Sequence, residues 1–172
     1  MEDIKIPITK KQFAEVLYHW LSMCLTKKKI KGNALALNFK LIKGEDFRKI
    51  FEEYLIFDMW TIVYTCERLL ENEEMRNECL DLFHNMVYKG NINSNEFTFK
   101  NWINSISLKY VEYDKAMKTK QPPNPLWWVA REFNKNLFGK ARKDVSVQMD
   151  IIGCFKIFIS HLEKEILKYD IM

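Results

Sequence analysis

The chain has 172 residues, enough for one domain to bury a hydrophobic core without disulfide bonds or metal ions. Its composition, 48% hydrophobic, 29% charged and 14% aromatic, excludes an intrinsically disordered protein. The net charge of +4 is divided into +6 over residues 1–50, −7 over residues 51–114 and +5 over residues 115–172. Two interpretations remain open: a basic surface for nucleic acid, or positive ends that fold against the negative middle, within the chain or across a dimer.

The cysteines and the apolar stretches indicate the cellular location. Cys24, Cys66, Cys79 and Cys154 lie far apart and form no C-x-x-C pair. This spacing argues against a zinc site or a disulfide framework, and it predicts reduced, buried thiols. Residues 1–8 lack the apolar run of a signal peptide, and the apolar stretch at residues 54–66 is shorter than the ~20 residues that span a bilayer. We therefore predict a soluble, cytoplasmic domain with no membrane partner.

The first predicted helix covers about residues 9–26. Thr9 and Gln12 form a capping box at its start, in which each side chain accepts a hydrogen bond from the backbone of the other. The next segment, residues 27–44, begins with lysines and then alternates apolar and polar residues, which is typical of a strand. A single strand has no partner in a helical protein. We predict a partly ordered connector here, with a ribbon shared with a second copy and a poorly formed helix as alternatives.

The helix predicted over about residues 45–70 is apolar on two opposite faces, which indicates that protein surrounds it. We expect it at the centre of the bundle or in a dimer interface. Its polar stripe consists of Asp58, Thr61 and Thr65, with Tyr54 beside Asp58. A buried carboxylate is costly unless it finds donors, a cation or a proton. Asp58 is therefore either an acid, base or ligand group in a cavity, or a structural acid bonded to a neighbouring helix.

The remaining predicted helices cover about residues 73–89, 94–119, 125–138 and 145–169. Their N-caps are Asn72, Asn93 with Glu96, and Asn124 before Pro125, and two of them are predicted to end at Lys89-Gly90 and Phe138-Gly139. Six helices joined by short connections predict an all-α, single-domain bundle over residues 1–172.

Motifs of catalysis and metal binding are absent from the sequence. There are no Glu-x-x-His pairs, no G-x-S-x-G motif, and the five glycines are isolated, so no phosphate-binding loop exists. Asp81 and His84 have the spacing of an ordinary pair on a helix surface, and we expect His84 to face solvent. We therefore predict no metal, no cofactor and no catalytic activity.

Two surface features are candidate binding sites. The basic run of Lys27, Lys28, Lys29 and Lys31 suits contacts with nucleic-acid phosphates, although lysine is also common in solvated loops. Trp127 and Trp128 follow a proline-rich turn and point about 100° apart on a helix. They form either an interface or pocket mouth with one exposed ring, or a plug at the end of the bundle.

The leading hypothesis is a non-catalytic protein–protein interaction module that forms a homo-oligomer. It rests on the aromatic content, the helix with two apolar faces and the alternating charge blocks. One alternative is a small-molecule-binding protein or enzyme with an aromatic pocket around Asp58. The other is a protein that binds nucleic acid through residues 27–31.

Overall fold

The computed structural model describes residues 5–92, 97–141 and 144–172, which form seven helices and two short strands. In chain order these are β1 (Ile6–Ile8), α1 (Lys10–Cys24), α2 (Lys27–Ala36), α3 (Gly44–Leu69), α4 (Glu73–Asn91), α5 (Phe99–Met117), α6 (Pro125–Phe138), α7 (Val145–Ile166) and β2 (Tyr169–Ile171). The prediction of an all-α bundle is confirmed, with one helix more than expected.

Helix α3 is the centre of the bundle, as its two apolar faces predicted. It contacts each of the other six helices. Ile50 and Ile62 are fully buried on it, and Trp60 is almost so. Around it, α1 packs on α4, and α6 packs on both α5 and α7. Because α3 has neighbours on every side, any polar side chain that it carries must be satisfied by another helix or lie in a cavity.

Most of the predicted helix ends are confirmed. The Thr9 N–H donates to Oε1 of Gln12 over 2.8 Å, and the Gln12 N–H donates to Oγ1 of Thr9 over 3.2 Å. The Asn72 and Asn124 side chains accept from backbone N–H groups in the first turns of α4 and α6. Gly139 ends α6 with a φ of 74°, a left-handed conformation that favours glycine. The cap predicted at Asn93 and Glu96 lies outside the described residues, and α5 begins after Thr98.

The predicted helix end at Lys89-Gly90 is wrong, because α4 continues to Asn91. Gly90 lies inside the helix, where α4 packs against α1. A Cβ atom at this position would overlap the hydroxyl of Tyr18. The glycine therefore permits a close approach between two helices, a property that its neighbours in the sequence do not indicate.

Residues 27–44 contain a helix where a connector was predicted. Helix α2 covers Lys27–Ala36, and the connector is limited to the residues that follow. Ile30, Ala34 and Leu37 are buried, and their spacing is helical, whereas Leu35 is 80% exposed. Oγ1 of Thr26 caps the helix by accepting from the Lys29 N–H over 3.4 Å. Leu35 and Leu37 would lie on the same face of a strand, but the first is exposed and the second is buried. The alternating pattern therefore does not come from a strand.

Helix α2 carries its positive charges at an unfavourable end. Lys27, Lys28 and Lys29 form its first three residues, where the helix dipole is positive, and this first turn contains no acidic residue. We predict that Lys28→Glu stabilises the protein by about 1 kcal/mol, because a carboxylate at this end is attracted by the dipole. Urea unfolding followed by circular dichroism measures the change. Lys40→Glu, the same charge change at an exposed position beyond α2, is the control. An equal gain in both variants would show that net charge, and not the helix end, is responsible.

The two ends of the described chain meet in a short ribbon that the sequence analysis did not predict. Strands β1 and β2 pair in parallel, with Ile6 opposite Tyr169 and Ile8 opposite Ile171. The Met172 N–H donates to the carbonyl oxygen of Ile8 over 2.9 Å. The ribbon holds the start of α1 close to the end of α7, which are two of the elements that border the site described below.

Among the described residues, one helix is long and apolar enough to cross a membrane. This is α7, with a mean hydropathy of 1.3. It packs against α3 and α6, and core helices of bundles often have the same length and composition. Helix α7 is therefore only weak evidence for a membrane span.

Candidate functional site

A cavity of about 340 Å³ lies between α1, α2 and α7, and α3 forms its floor. The floor residues are Tyr54, Phe57, Asp58 and Thr61. The walls include Trp20, Cys24, Lys29, Cys154, Phe158 and His161. The Trp20 and Phe158 rings meet edge to face with centroids 6.2 Å apart, and they join α1 to α7 beside the cavity. Three consecutive helices and the distant α7 thus enclose an apolar space around one acid, with five aromatic rings in its lining.

Asp58 has no hydrogen-bond or ion-pair partner within the described part of the chain, although only 8% of its surface is exposed. The two threonine hydroxyls of the stripe do not help, because each donates within its own helix. Thr61 donates to the Phe57 carbonyl over 2.8 Å, and Thr65 donates to the Thr61 carbonyl over 2.7 Å. The predicted polar stripe therefore contains two satisfied hydroxyls and one unsatisfied carboxyl.

Burial controls the protonation of this site. It raises the pKa of Asp58 to about 8, and the positive charge of Lys29 opposes the rise only in part. Burial also raises the pKa of Cys24 to about 11, with a contribution from Asp58. The pKa of Cys154 is raised by burial and by Asp150 and Asp58. Near neutral pH, Asp58 is therefore mostly protonated and both thiols are neutral, so neither sulfur is an activated nucleophile.

Trp20 contributes a second unsatisfied polar atom next to the cavity. Its indole Nε1 is buried and has no hydrogen-bond partner among the described residues. Indole N–H groups in protein interiors usually find an acceptor. Among the described residues, the Asp58 carboxyl on α3 therefore has no hydrogen-bond donor, and the Trp20 indole N–H on α1 has no acceptor.

The structure brings together three of the four residues predicted for an Asp58 pocket. Tyr54, Asp58 and Thr61 line the cavity, whereas Thr65 is buried outside its lining. Lys29, predicted as a possible nucleic-acid contact, lies in the cavity wall instead. The other lysines of that run, Lys27, Lys28 and Lys31, are exposed on α2. Their binding to nucleic acid stays a prediction that a salt-dependent affinity would test.

The wall residues Trp20, Cys154, Phe158 and His161 were not predicted as site residues. Trp20 and Phe158 do have the periodicity of apolar helix faces. That pattern indicates burial but not which helices face one another. No sequence signal identifies Cys154 or His161, since both are ordinary surface residues of α7 until α1 is placed opposite them.

Two of the four cysteines are less buried than predicted. Cys66 and Cys79 lie in the core, but Cys24 is half-buried and Cys154 is exposed at the cavity. The prediction of four buried thiols is therefore wrong for this pair. In the described ranges, no group of three or more His, Cys, Asp or Glu side chains is placed to hold a metal ion.

A hydrogen-bonded structural acid, considered above for Asp58, exists one turn earlier at Glu53. This side chain is buried, and its Oε1 accepts from the Tyr113 hydroxyl over 2.6 Å. Its other carboxylate oxygen pairs with the Lys109 ammonium group. The sequence analysis missed Glu53, although the acid lies on the same face of α3 as Trp60 and Tyr64. Glu53 and Asp58 thus differ in one respect: the first has partners and the second has a cavity.

His84 is half-buried, and the prediction that it faces solvent is wrong. Its Nδ1 lies 2.7 Å from the Leu80 carbonyl oxygen and its Nε2 lies 3.2 Å from the Tyr110 hydroxyl. Burial lowers the pKa of His84. The histidine joins α4 to α5 as a packing residue.

Trp127 and Trp128 are both half-buried. The Trp128 indole N–H donates to the Gln121 carbonyl over 3.1 Å, and the Arg131 guanidinium lies 5.3 Å from the Trp128 ring centroid. Trp127 packs against the core. These contacts join α6 to the proline-rich turn that precedes it, as expected if the two rings close the end of the bundle. Binding of another protein to the exposed part of either ring stays a prediction.

The fold and this cavity define the class to which the protein belongs: an all-α bundle whose central helix presents a buried acid to an aromatic cavity. Comparisons with known protein families, with curated proteins and with solved structures find no match to the chain. The function is therefore argued from the cavity itself.

Proposed function

We propose that the protein binds a small, largely apolar molecule in the Asp58 cavity. One observation carries this proposal: a buried carboxyl without a partner points into a space of about 340 Å³ that aromatic side chains surround. Ligand sites typically combine apolar walls with a few polar groups that orient the ligand. The cavity has this composition, with Asp58 as the fixed polar group.

The energetic cost of Asp58 supports a role in binding. A buried polar group without a hydrogen bond costs about 1–3 kcal/mol, and more if it is charged. Glu53 shows that α3 accommodates a buried acid with two partners. Asp58 has none within the described residues, and burial disfavours its charged form. Sites that break the rules of packing in this way are often functional.

The proposal is for binding and not for thiol catalysis. Cys24 and Cys154 border the cavity, but their raised pKa values keep them protonated near neutral pH. A cysteine nucleophile requires a lowered pKa, usually from a cation or an imidazolium beside it. The neighbouring acids have the opposite effect. These thiols are instead useful as reporters, because a bound ligand would shield Cys154 from alkylation.

Titration with 1-naphthalenemethanol, a neutral aromatic alcohol, tests the proposal. We expect saturable binding by ligand-observed NMR and slower alkylation of Cys154, which is exposed at the cavity. Ile157→Trp should weaken binding by about tenfold or more, because this exposed residue lies at the rim and a larger ring obstructs entry.

Met149→Trp is the matched control, since Met149 is equally exposed on α7 but does not line the cavity. It should leave the affinity unchanged. The proposal is overturned if the alcohol does not saturate the protein, or if it binds the Ile157→Trp variant as well as the native chain.

The interaction-module hypothesis stays a second proposal with one observation in its favour. Val145, Met149 and Ile157 of α7 are all more than half exposed. A contiguous apolar patch of this kind would suit a contact between proteins. Light scattering would test for a homo-oligomer, and a strictly monomeric protein would contradict it. A cytoplasmic location likewise stays a prediction.

A further inference from the structure

We propose that the ligand of the Asp58 cavity is an organic amine, whose ammonium group pairs with the Asp58 carboxylate while its apolar body lies against the aromatic rings. This inference rests on the proposed function and names its ligand class. The structure contributes three independent features: the unsatisfied acceptor, the rings around it and the distribution of charge.

The first feature is the missing donor. Asp58 is more than nine-tenths buried at the floor of the cavity, and none of the described residues donates a hydrogen bond to it. Thr61, its neighbour on the floor, already donates to its own helix. A carboxylate is satisfied best by a charged N–H donor, because such hydrogen bonds are about twice as strong as neutral ones. An alkylammonium group supplies this donor from the ligand.

The second feature is the set of aromatic rings around the acid. Trp20, Tyr54, Phe57, Phe155 and Phe158 all line the cavity. The Phe57 and Phe155 centroids lie 5.7 Å apart, so these two rings form a continuous surface. Aromatic faces attract cations, most strongly where water is excluded. The same rings also provide the apolar surface for the body of an amine.

The third feature is the charge that surrounds Asp58 on each neighbouring element. The titratable groups are Cys24 on α1, Lys29 on α2, Tyr54 on α3, and Asp150, Cys154 and His161 on α7. Lys29 is the cation among them that acts on Asp58, and it is exposed at the rim. Charges in the interior are screened less than charges at the surface. A ligand cation at the floor is therefore favoured by Asp58 more than it is opposed by Lys29.

The test compares three probes that share a naphthyl body: 1-naphthylmethylamine, 1-naphthalenemethanol and 1-naphthoate. We expect the amine to bind about tenfold tighter than the alcohol, and the naphthoate to bind weakest. In Asp58→Asn the amine should fall to the affinity of the alcohol, while the affinity of the alcohol changes by less than about twofold. At about pH 9, where Asp58 is mostly ionised, Lys29→Met should strengthen binding of a permanently charged ammonium probe by about threefold, because it removes the opposing charge.

A pH series adds a readout that a structural role of Asp58 would not produce. The probe is (1-naphthylmethyl)trimethylammonium, which does not titrate. Its affinity should rise with pH and level off near the pKa of Asp58, about 8, because only the carboxylate pairs with a cation. In Asp58→Asn the affinity should not change with pH.

The outcomes separate the two proposals. If the three naphthyl probes bind equally well, the cavity is a ligand site but the amine inference is overturned. If 1-naphthoate binds tightest, an acid held by Lys29 replaces the amine. If none of the probes binds, both proposals fail. Should Asp58→Asn not fold, Lys29→Met is used instead, and an unchanged affinity of that variant for the quaternary ammonium probe at about pH 9 overturns the inference.

Discussion

Replacing Asp58 by asparagine should stabilise the protein by about 4 kcal/mol at neutral pH. Burial raises the pKa of this carboxyl from 3.8 to about 8. Each pH unit between these two values costs the folded state about 1.4 kcal/mol, because the unfolded chain releases the proton and the folded chain retains it. Asparagine has nearly the same shape but no proton to lose, so the variant avoids this cost.

The difference in free energy of unfolding between the native chain and Asp58→Asn should depend on pH. In the native chain, the stability associated with Asp58 is fully present below about pH 4 and is lost as the pH rises to about 8. The native chain and Asp58→Asn should therefore unfold with similar free energies at low pH and diverge above it. Urea unfolding followed by circular dichroism, at several pH values between these limits, measures the difference.

Asp114→Ala provides the control for this experiment. The Asp114 carboxylate accepts from the Trp60 indole N–H over 2.9 Å, so this acid has the partner that Asp58 lacks. Its removal should destabilise the protein by about 1–2 kcal/mol. If Asp58→Asn were destabilising as well, the carboxyl of Asp58 would have to be bonded in solution, and the basis of the ligand proposal would be lost.

Replacing Lys109 by methionine should destabilise the protein by about 3 kcal/mol. The ammonium group of Lys109 is the charged partner of Glu53, whose side chain is only 4% exposed. Removing one member of a buried ion pair typically costs about 3–5 kcal/mol, because it leaves a charge in the interior. The expected loss is at the lower end because Lys109 itself is 33% exposed and Tyr113 still donates to Glu53.

A surface pair serves as the comparison for Lys109. Lys135→Met removes an ion pair with Glu132, and Lys135 is 51% exposed, so the loss should be below about 1 kcal/mol. In the Lys109→Met background, Glu53→Gln should recover most of the stability, since it removes the unpaired charge and keeps an acceptor for the Tyr113 hydroxyl. The assignment fails if Lys109→Met costs no more than Lys135→Met in the same urea titration.

The two acids on α3 show how much of the site was predictable. Asp58 was predicted as the critical buried acid with Tyr54, Thr61 and Thr65 beside it, and three of these four residues do line one cavity. Glu53 was not recognised, although it is buried more deeply than Asp58. Periodicity assigns an acid to a helix face. It does not show whether the opposite helix supplies a donor, as Tyr113 does for Glu53, or leaves a space, as at Asp58.

The features that were predicted correctly from the sequence all depend on local interactions. A cap such as Thr9 acts on backbone groups three residues away, and an apolar stripe repeats every three or four residues, so both are complete within one helix. They correctly predicted the all-α class, the central position of α3 and most helix boundaries. They failed at α2, where Gly32 and the clustered lysines weaken the local preference for a helix and packing of Ile30 compensates for it.

The cavity, in contrast, depends on the packing of the helices against one another. Its walls combine Trp20 on α1, Lys29 on α2 and Phe158 on α7 with Asp58 on α3. These residues are far apart along the chain, and no local rule relates them. Their meeting depends on how the surrounding helices pack around α3. The same packing satisfies Glu53 and gives Asp58 no partner among residues 5–92, 97–141 and 144–172, because hydrogen-bond partners in a bundle come from neighbouring helices, whose identity one helix does not encode.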